Sequence, residues 1–176
     1  MNPRKLLALG TLLFLFVVVA TAADQPKKKF RVGIAPIENQ SALPISRNEL
    51  RMNLMQELIS KLVEPLMLKG EFPHEIEADA RQRECDFILY VQVSVARQGD
   101  PKIGVGKQPP WGQIMTQPRG SYLVRLHYRL MEVASGKKRL EETATATSLG
   151  DGTVQDAATN ALRTIRRDVL DVLRKL

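Results

Sequence analysis

The chain has 176 residues, with 26 Lys and Arg against 19 Asp and Glu, for a formal charge of +7. A single cysteine, Cys85, excludes an internal disulfide, so the fold must rest on its apolar core. The basic excess is modest. It favours loose attraction to anionic surfaces, and the export signal described next argues against nucleic acid as the partner.

Arg4 and Lys5 precede an apolar run, Leu6 to Ala20, broken only by Gly10 and Thr11; Ala20-Thr21-Ala22 then supplies a small-x-small pattern. That order of parts is a secretory signal peptide over residues 1–23. As a helix the run would span roughly 22 Å, short of an apolar bilayer core of about 30 Å. An uncleaved membrane anchor is the alternative. No cysteine follows the run to serve as a lipid-attachment site. Because Arg4 and Lys5 leave with the signal and no acid does, the remaining 153 residues carry +5. They suffice for one domain with a proper core.

Residues 24–29 read as a flexible leader, and its Lys27, Lys28 and Lys29 could touch an anionic membrane surface. Residues 30–176 read as a single α/β domain. Phe30 to Ile37 is its first strand, and Glu38 to Pro44 a loop. Asn39-Gln40-Ser41 fits the N-glycosylation pattern, which matters only in a eukaryotic host. Ser46 to Glu49 spells a capping box opening a helix with Leu50, Leu54, Leu58 and Leu62 on one stripe and Pro65 at its end. Leu66 to Leu68 makes a short second strand. Glu75 to Glu84 predicts a surface helix, and Cys85 follows as a small buried hydrophobe.

Phe87 to Ala96 is the strongest strand signal, with Val91, Val93 and Val95 assigned to one face and Gln92 and Ser94 to the other. Ser121 to Val133 is a strand with Tyr122, Val124, Leu126, Tyr128 and Leu130 inside and Arg125, His127 and Arg129 outside. A turn at Ala134 to Lys137 leads into the strand Lys138 to Ser148, in a register that sets Arg129 opposite Glu142. From Thr153 an amphipathic helix runs to the C-terminus, suited to cover a sheet. The same basic amphipathic pattern would also suit a membrane surface. The expected class is α/β: a mixed sheet, βαβαβ then an antiparallel hairpin, covered by helices in the order β-α-β-α-β-β-β-α.

Two local patterns, Arg31 to Ser41 and Ala80 to Val93, followed by Tyr128 to Lys137, resemble a bacterial envelope domain. It is shared by the curli-secretion assembly lipoprotein, the lipoprotein activator of penicillin-binding proteins, and the amino-terminal domain of the Tol-Pal translocation protein. The resemblance covers nearly all of residues 30–176 and implies a non-catalytic module that binds other envelope proteins. The lipoproteins' attachment cysteine is missing here, so outer-membrane anchoring is not carried over. Nor is the curli protein's pore, because residues 98–120 lack the alternating apolar segments of a spanning hairpin.

Catalytic and metal motifs are weak. His74 and His127 have no ligand partner at motif spacing, and H-E-I-E-A at 74–78 lacks the second histidine of a zincin. Gly99 to Gln108 looks like a phosphate loop, but Pro101 and Gln108 occupy positions that need Gly and Ser or Thr. No cofactor is implied. The stretch that asks for a function is the Pro/Gly-rich loop 98–120, longer than the usual structureless connection and so either functional or disordered; a passive insertion with Trp111 folded back on the domain edge is the alternative. It carries the only tryptophan, Trp111, behind Pro109 and Pro110, with Lys102, Lys107 and Arg119 around it. An aromatic beside cations is the make-up of a protein-contact anchor. The expectation is an exported, non-enzymatic interaction module using this loop. The alternative is a small-molecule or glycan-binding protein, or a cryptic enzyme, with its site at the carboxyl ends of the parallel strands near Asn39 and Gln98.

Overall fold

The computed structural model describes residues 29–98, 122–148 and 152–176. Six strands and three helices lie in these segments: β1 Phe30–Ile34, β2 Glu38–Asn39, α1 Arg47–Leu58, β3 Val63–Met67, α2 Pro73–Gln82, β4 Phe87–Gln98, β5 Tyr122–Glu132, β6 Lys138–Ser148 and α3 Val154–Leu173. The sheet is mixed and open, in the order β3-β1-β4-β5-β6. The β1–β3, β1–β4 and β2–β4 pairs are parallel, and β4–β5 and β5–β6 are antiparallel. The expected α/β class and order hold, with β2 as an addition.

Helices α1 and α3 pack on one face. Their Leu50, Leu54, Leu58, Ala158, Leu162, Ile165 and Val169 close over Ile34, Leu89, Val93, Leu126 and Leu130. Helix α2 covers part of the other face with Ile76 and Ala80, against Ala35, Leu68, Cys85 and Ile88. It is thus more than a surface helix. Cys85 is buried as expected, and burial raises its thiol pKa. Both core clusters lie between Phe30 and Leu173, so a chain beginning at residue 24 contains all of the packing described here. Tyr128 is buried in the main core and donates its hydroxyl hydrogen to Asp168 of α3. Arg51 of α1 donates to the carbonyls of Ile34 and Leu68, pinning the helix over the ends of β1 and β3.

Five expectations are corrected. The first strand breaks at Pro36, which has no N–H to donate; the chain re-enters the sheet as β2 beside β4. Ser46 forms no side-chain cap, and its N–H donates to Gln155 of α3 at 3.0 Å instead of engaging Glu49. Helix α1 ends at Leu58, and Pro65 sits inside β3. Among the described residues that strand pairs only with β1, so a missing donor on its outer edge costs no ladder bond there. In β4 a bulge between Val93 and Val95 turns Val95 to the face of Arg125, while Ala96 joins the core side. In the hairpin a bulge beyond Leu130 sets Arg129 opposite Glu141 and Tyr128 opposite Glu142.

Asp79 gives the fold an acid-sensitive contact. Its carboxylate accepts from the Lys69 N–H at 2.8 Å and from Arg83 Nε at 3.0 Å. The backbone donor first, then the arginine, hold its pKa below the ordinary carboxylate value. A folded-state pKa below the unfolded one gives stability that is complete above the unfolded pKa, near 4, and lost as pH falls through the folded value. Thermal stability is expected to decline on acidification below about pH 4, and less steeply in Asp79→Asn. Identical slopes for the two proteins in melts across that range would refute the assignment.

Candidate contact surface

The anchor residues proposed from sequence, Trp111, Lys102, Lys107 and Arg119, lie outside the described residues, as do Lys27 and Lys28; Lys29 is described and exposed. The points where their segment leaves and rejoins the sheet are described. Gln98 at the end of β4 pairs with Tyr122 at the start of β5. The residues flanking 99–121, Gln98 and Tyr122, are therefore held side by side on adjacent strands. Buried Ser148 braces that root, accepting from the Tyr122 N–H at 3.3 Å and donating to the Gly152 carbonyl at 3.3 Å.

Below the root lies the face of β4–β5–β6 opposite α1 and α3. The registers fix its rows: Arg97 with Leu123 and Thr147, Val95 with Arg125 and Thr145, Gln92 with His127 and Thr143, and Tyr90 with Arg129 and Glu141. The Ser94 bulge places Val95 and Arg97 in these rows, and the Ser94 hydroxyl braces it by donating to the Arg125 carbonyl at 3.1 Å. In the last row the Arg129 guanidinium sits over the Tyr90 ring, 4.6 Å from its centre. Such a stack is worth about 0.5–1 kcal/mol where exposed. Glu141, opposite Arg129, instead pairs with His127 at 3.3 Å and with Lys138. Among the described residues Arg129, Arg125 and Arg97 form no ion pair. Burial first, then the Glu77 carboxylate, raises the Tyr90 pKa, with Arg129 opposing.

Two open clefts flank the Tyr90–Arg129 stack. One, of about 460 Å³, is lined by Glu77, Arg81, Glu132 and Ser135. The other, of about 260 Å³, is lined by Pro36, Glu38, Gln92 and His127. The Glu38 carboxylate there accepts from Gln92 Nε2 at 3.0 Å.

Among the described residues no group of three or more His, Cys, Asp or Glu could hold a metal ion. His74 stacks on Phe72 at 5.8 Å. Asn39, near the alternative site, spends its amide on its own loop: Nδ2 donates to the Leu43 carbonyl at 3.0 Å, and Oδ1 accepts from the Ser41 N–H at 2.9 Å. The sequence shows the Arg125, His127 and Arg129 side of β5. It does not show Tyr90 as their neighbour, because Tyr90 stands in an unbroken apolar run that hides which face it takes.

No family model and no curated protein matches the chain. Solved structures do match. A PelC dodecamer from Paraburkholderia phytofirmans superposes with a TM-score of 0.59 at 15% identity, over 78% of this chain and 85% of the other. The hypothetical protein CT253 from Chlamydia trachomatis gives 0.56 at 10% identity, over 83% of this chain and 98% of the other. These likenesses establish a shared fold. The matches also include the LpoB C-terminal domain from Salmonella enterica, with 0.45 at 12% identity over 73% and 90%. TolB from Acinetobacter baumannii gives 0.44 at 14% identity over 86% and 30%.

Proposed function

We propose that this chain is an exported, non-enzymatic interaction module of the bacterial cell envelope, and that it holds partner proteins through segment 98–120 together with the sheet face beneath it. One observation carries the reading. The Gln98–Tyr122 pair roots the segment at the rim of an open sheet face bearing a stacked tyrosine and three arginines that form no ion pair among the described residues. A helix-covered sheet without such a face would leave the segment nothing to act with. Arginine and tyrosine are the residues that anchor protein contacts, and a face with this make-up selects acidic and aromatic partner surfaces. The signal-like residues 1–23 support export, and the resemblance to envelope domains supports the compartment.

The test is a pull-down from envelope extract with residues 24–176, beside the same protein with 99–119 replaced by a short Gly/Ser linker. Capture by the intact protein alone supports the reading. Capture by neither, with both folded, overturns it, and equal capture by both takes the contact away from the segment.

A further inference from the structure

A third hollow lies at the other end of the molecule, where the chain enters β1 and α3 ends. Its floor is Leu62 and Leu170, and its rim carries Lys29, Lys61, Arg166 and Arg174, around a volume of about 640 Å³. Its position follows from the fold. The Phe30 N–H donates to the Leu62 carbonyl at 2.8 Å, which sets Lys29 beside the turn holding Lys61. Arg166 lies about two turns before the end of α3, and Arg174 is its C-cap, where a cation suits the helix dipole. Arg166 approaches Glu57 at 3.9 Å and Arg174 approaches Asp171 at 3.2 Å, so their charge is partly offset. Lys29 and Lys61 have no ion pair among the described residues. Two exposed apolar side chains stand close by along the chain: Ile59, 61% exposed, two residues before Lys61, and Leu176, 58% exposed, two residues after Arg174.

We infer that this end of the domain is a docking surface for an anionic membrane. Three features choose that occupant. A ring of cations around an apolar floor matches a lipid surface, which offers acidic headgroups over acyl chains. Lys27 and Lys28 directly precede Lys29 in sequence, extending the basic run. The apolar run ending at Ala20 lies nine residues upstream of Lys29, so an anchored or newly exported chain brings this end of the domain to the bilayer first. The surface is separate from the Tyr90–Arg129 face, so the inference does not depend on the proposed partner contact.

Vesicle sedimentation of residues 24–176 tests it, with phosphatidylcholine vesicles and with vesicles that also contain phosphatidylglycerol. The protein is expected to sediment with the anionic vesicles only, and less as salt is raised. Reversal of the two cations that have no ion pair among the described residues, Lys29→Glu with Lys61→Glu, is expected to weaken partitioning at least about twenty-fold, from about fivefold per removed charge. Arg81→Glu with Lys137→Glu makes the same change in net charge away from the hollow and is expected to bind much more like the parent. All four residues are exposed, and melting curves check that both variants are folded. Equal sedimentation with both vesicle types overturns the inference. So does an equal loss in the two double variants, which would reduce the effect to net charge.

Discussion

Leu126→Ala is expected to cost about 2–5 kcal/mol of stability, while Arg125→Ala, one residue away, changes it by no more than about 0.5 kcal/mol. Leu126 is fully buried on β5, directly opposite Val93 of β4, under the helical layer of α1 and α3. Truncation leaves a cavity that a sheet paired on both sides closes poorly, so transfer and cavity terms add. Arg125 is exposed on the other face and forms no ion pair among the described residues. For a domain of this size the leucine variant should lose on the order of 5–15 °C in melting temperature, and the arginine variant about 2 °C or less. Comparable losses would mean that the two sides of β5 are not the core and the open face.

That contrast rests on a pattern plain in the sequence. In β5 the period-two alternation of large apolar and basic residues assigns both faces without any partner. Helix α3 was legible for a similar reason. Its apolar stripe runs through Ala158, Leu162, Ile165 and Val169, and Thr153 with Asp156 forms the reciprocal cap that its sequence spells. What failed depended on distant partners. Ser46 has the letters of a capping box, yet Gln155, more than a hundred residues on, takes the amide that Glu49 would need. Pro65 ends a helix in isolation, but it is acceptable in a strand whose outer edge is unpaired among the described residues. The bulges at Ser94 and beyond Leu130 are one-residue insertions that shift every later side chain, and no local residue type announces them.

The candidate surface was half legible for the same reason. Arg125, His127 and Arg129 follow from β5 alone, whereas the stack of Arg129 on Tyr90 needs the β4–β5 register. Arg97 joins the face only because the bulge moves it there. The hollow at Lys29, Lys61, Arg166 and Arg174 draws on three segments far apart in the chain, so composition shows its charge and not its assembly.

Trp111→Ala is expected to weaken partner capture about thirty-fold, the effect of removing a 2 kcal/mol anchor, and to leave the melting temperature unchanged. Pro109 and Pro110 precede it, and prolines reduce the entropy lost when a recognition segment settles on a partner, so more of the aromatic's contact energy reaches the binding constant. Arg125→Ala tests the face below. Because Arg125 is exposed and near the root of the segment, its loss is expected to weaken capture a few-fold without a change in melting. If Trp111→Ala captures as well as the parent, Trp111 is not an anchor. If capture and melting fall together, Trp111 packs on the domain, and the face with Arg97, Arg125 and Arg129 must hold the partner without it. A normal melt with lost capture is the outcome that joins segment and face in one binding surface.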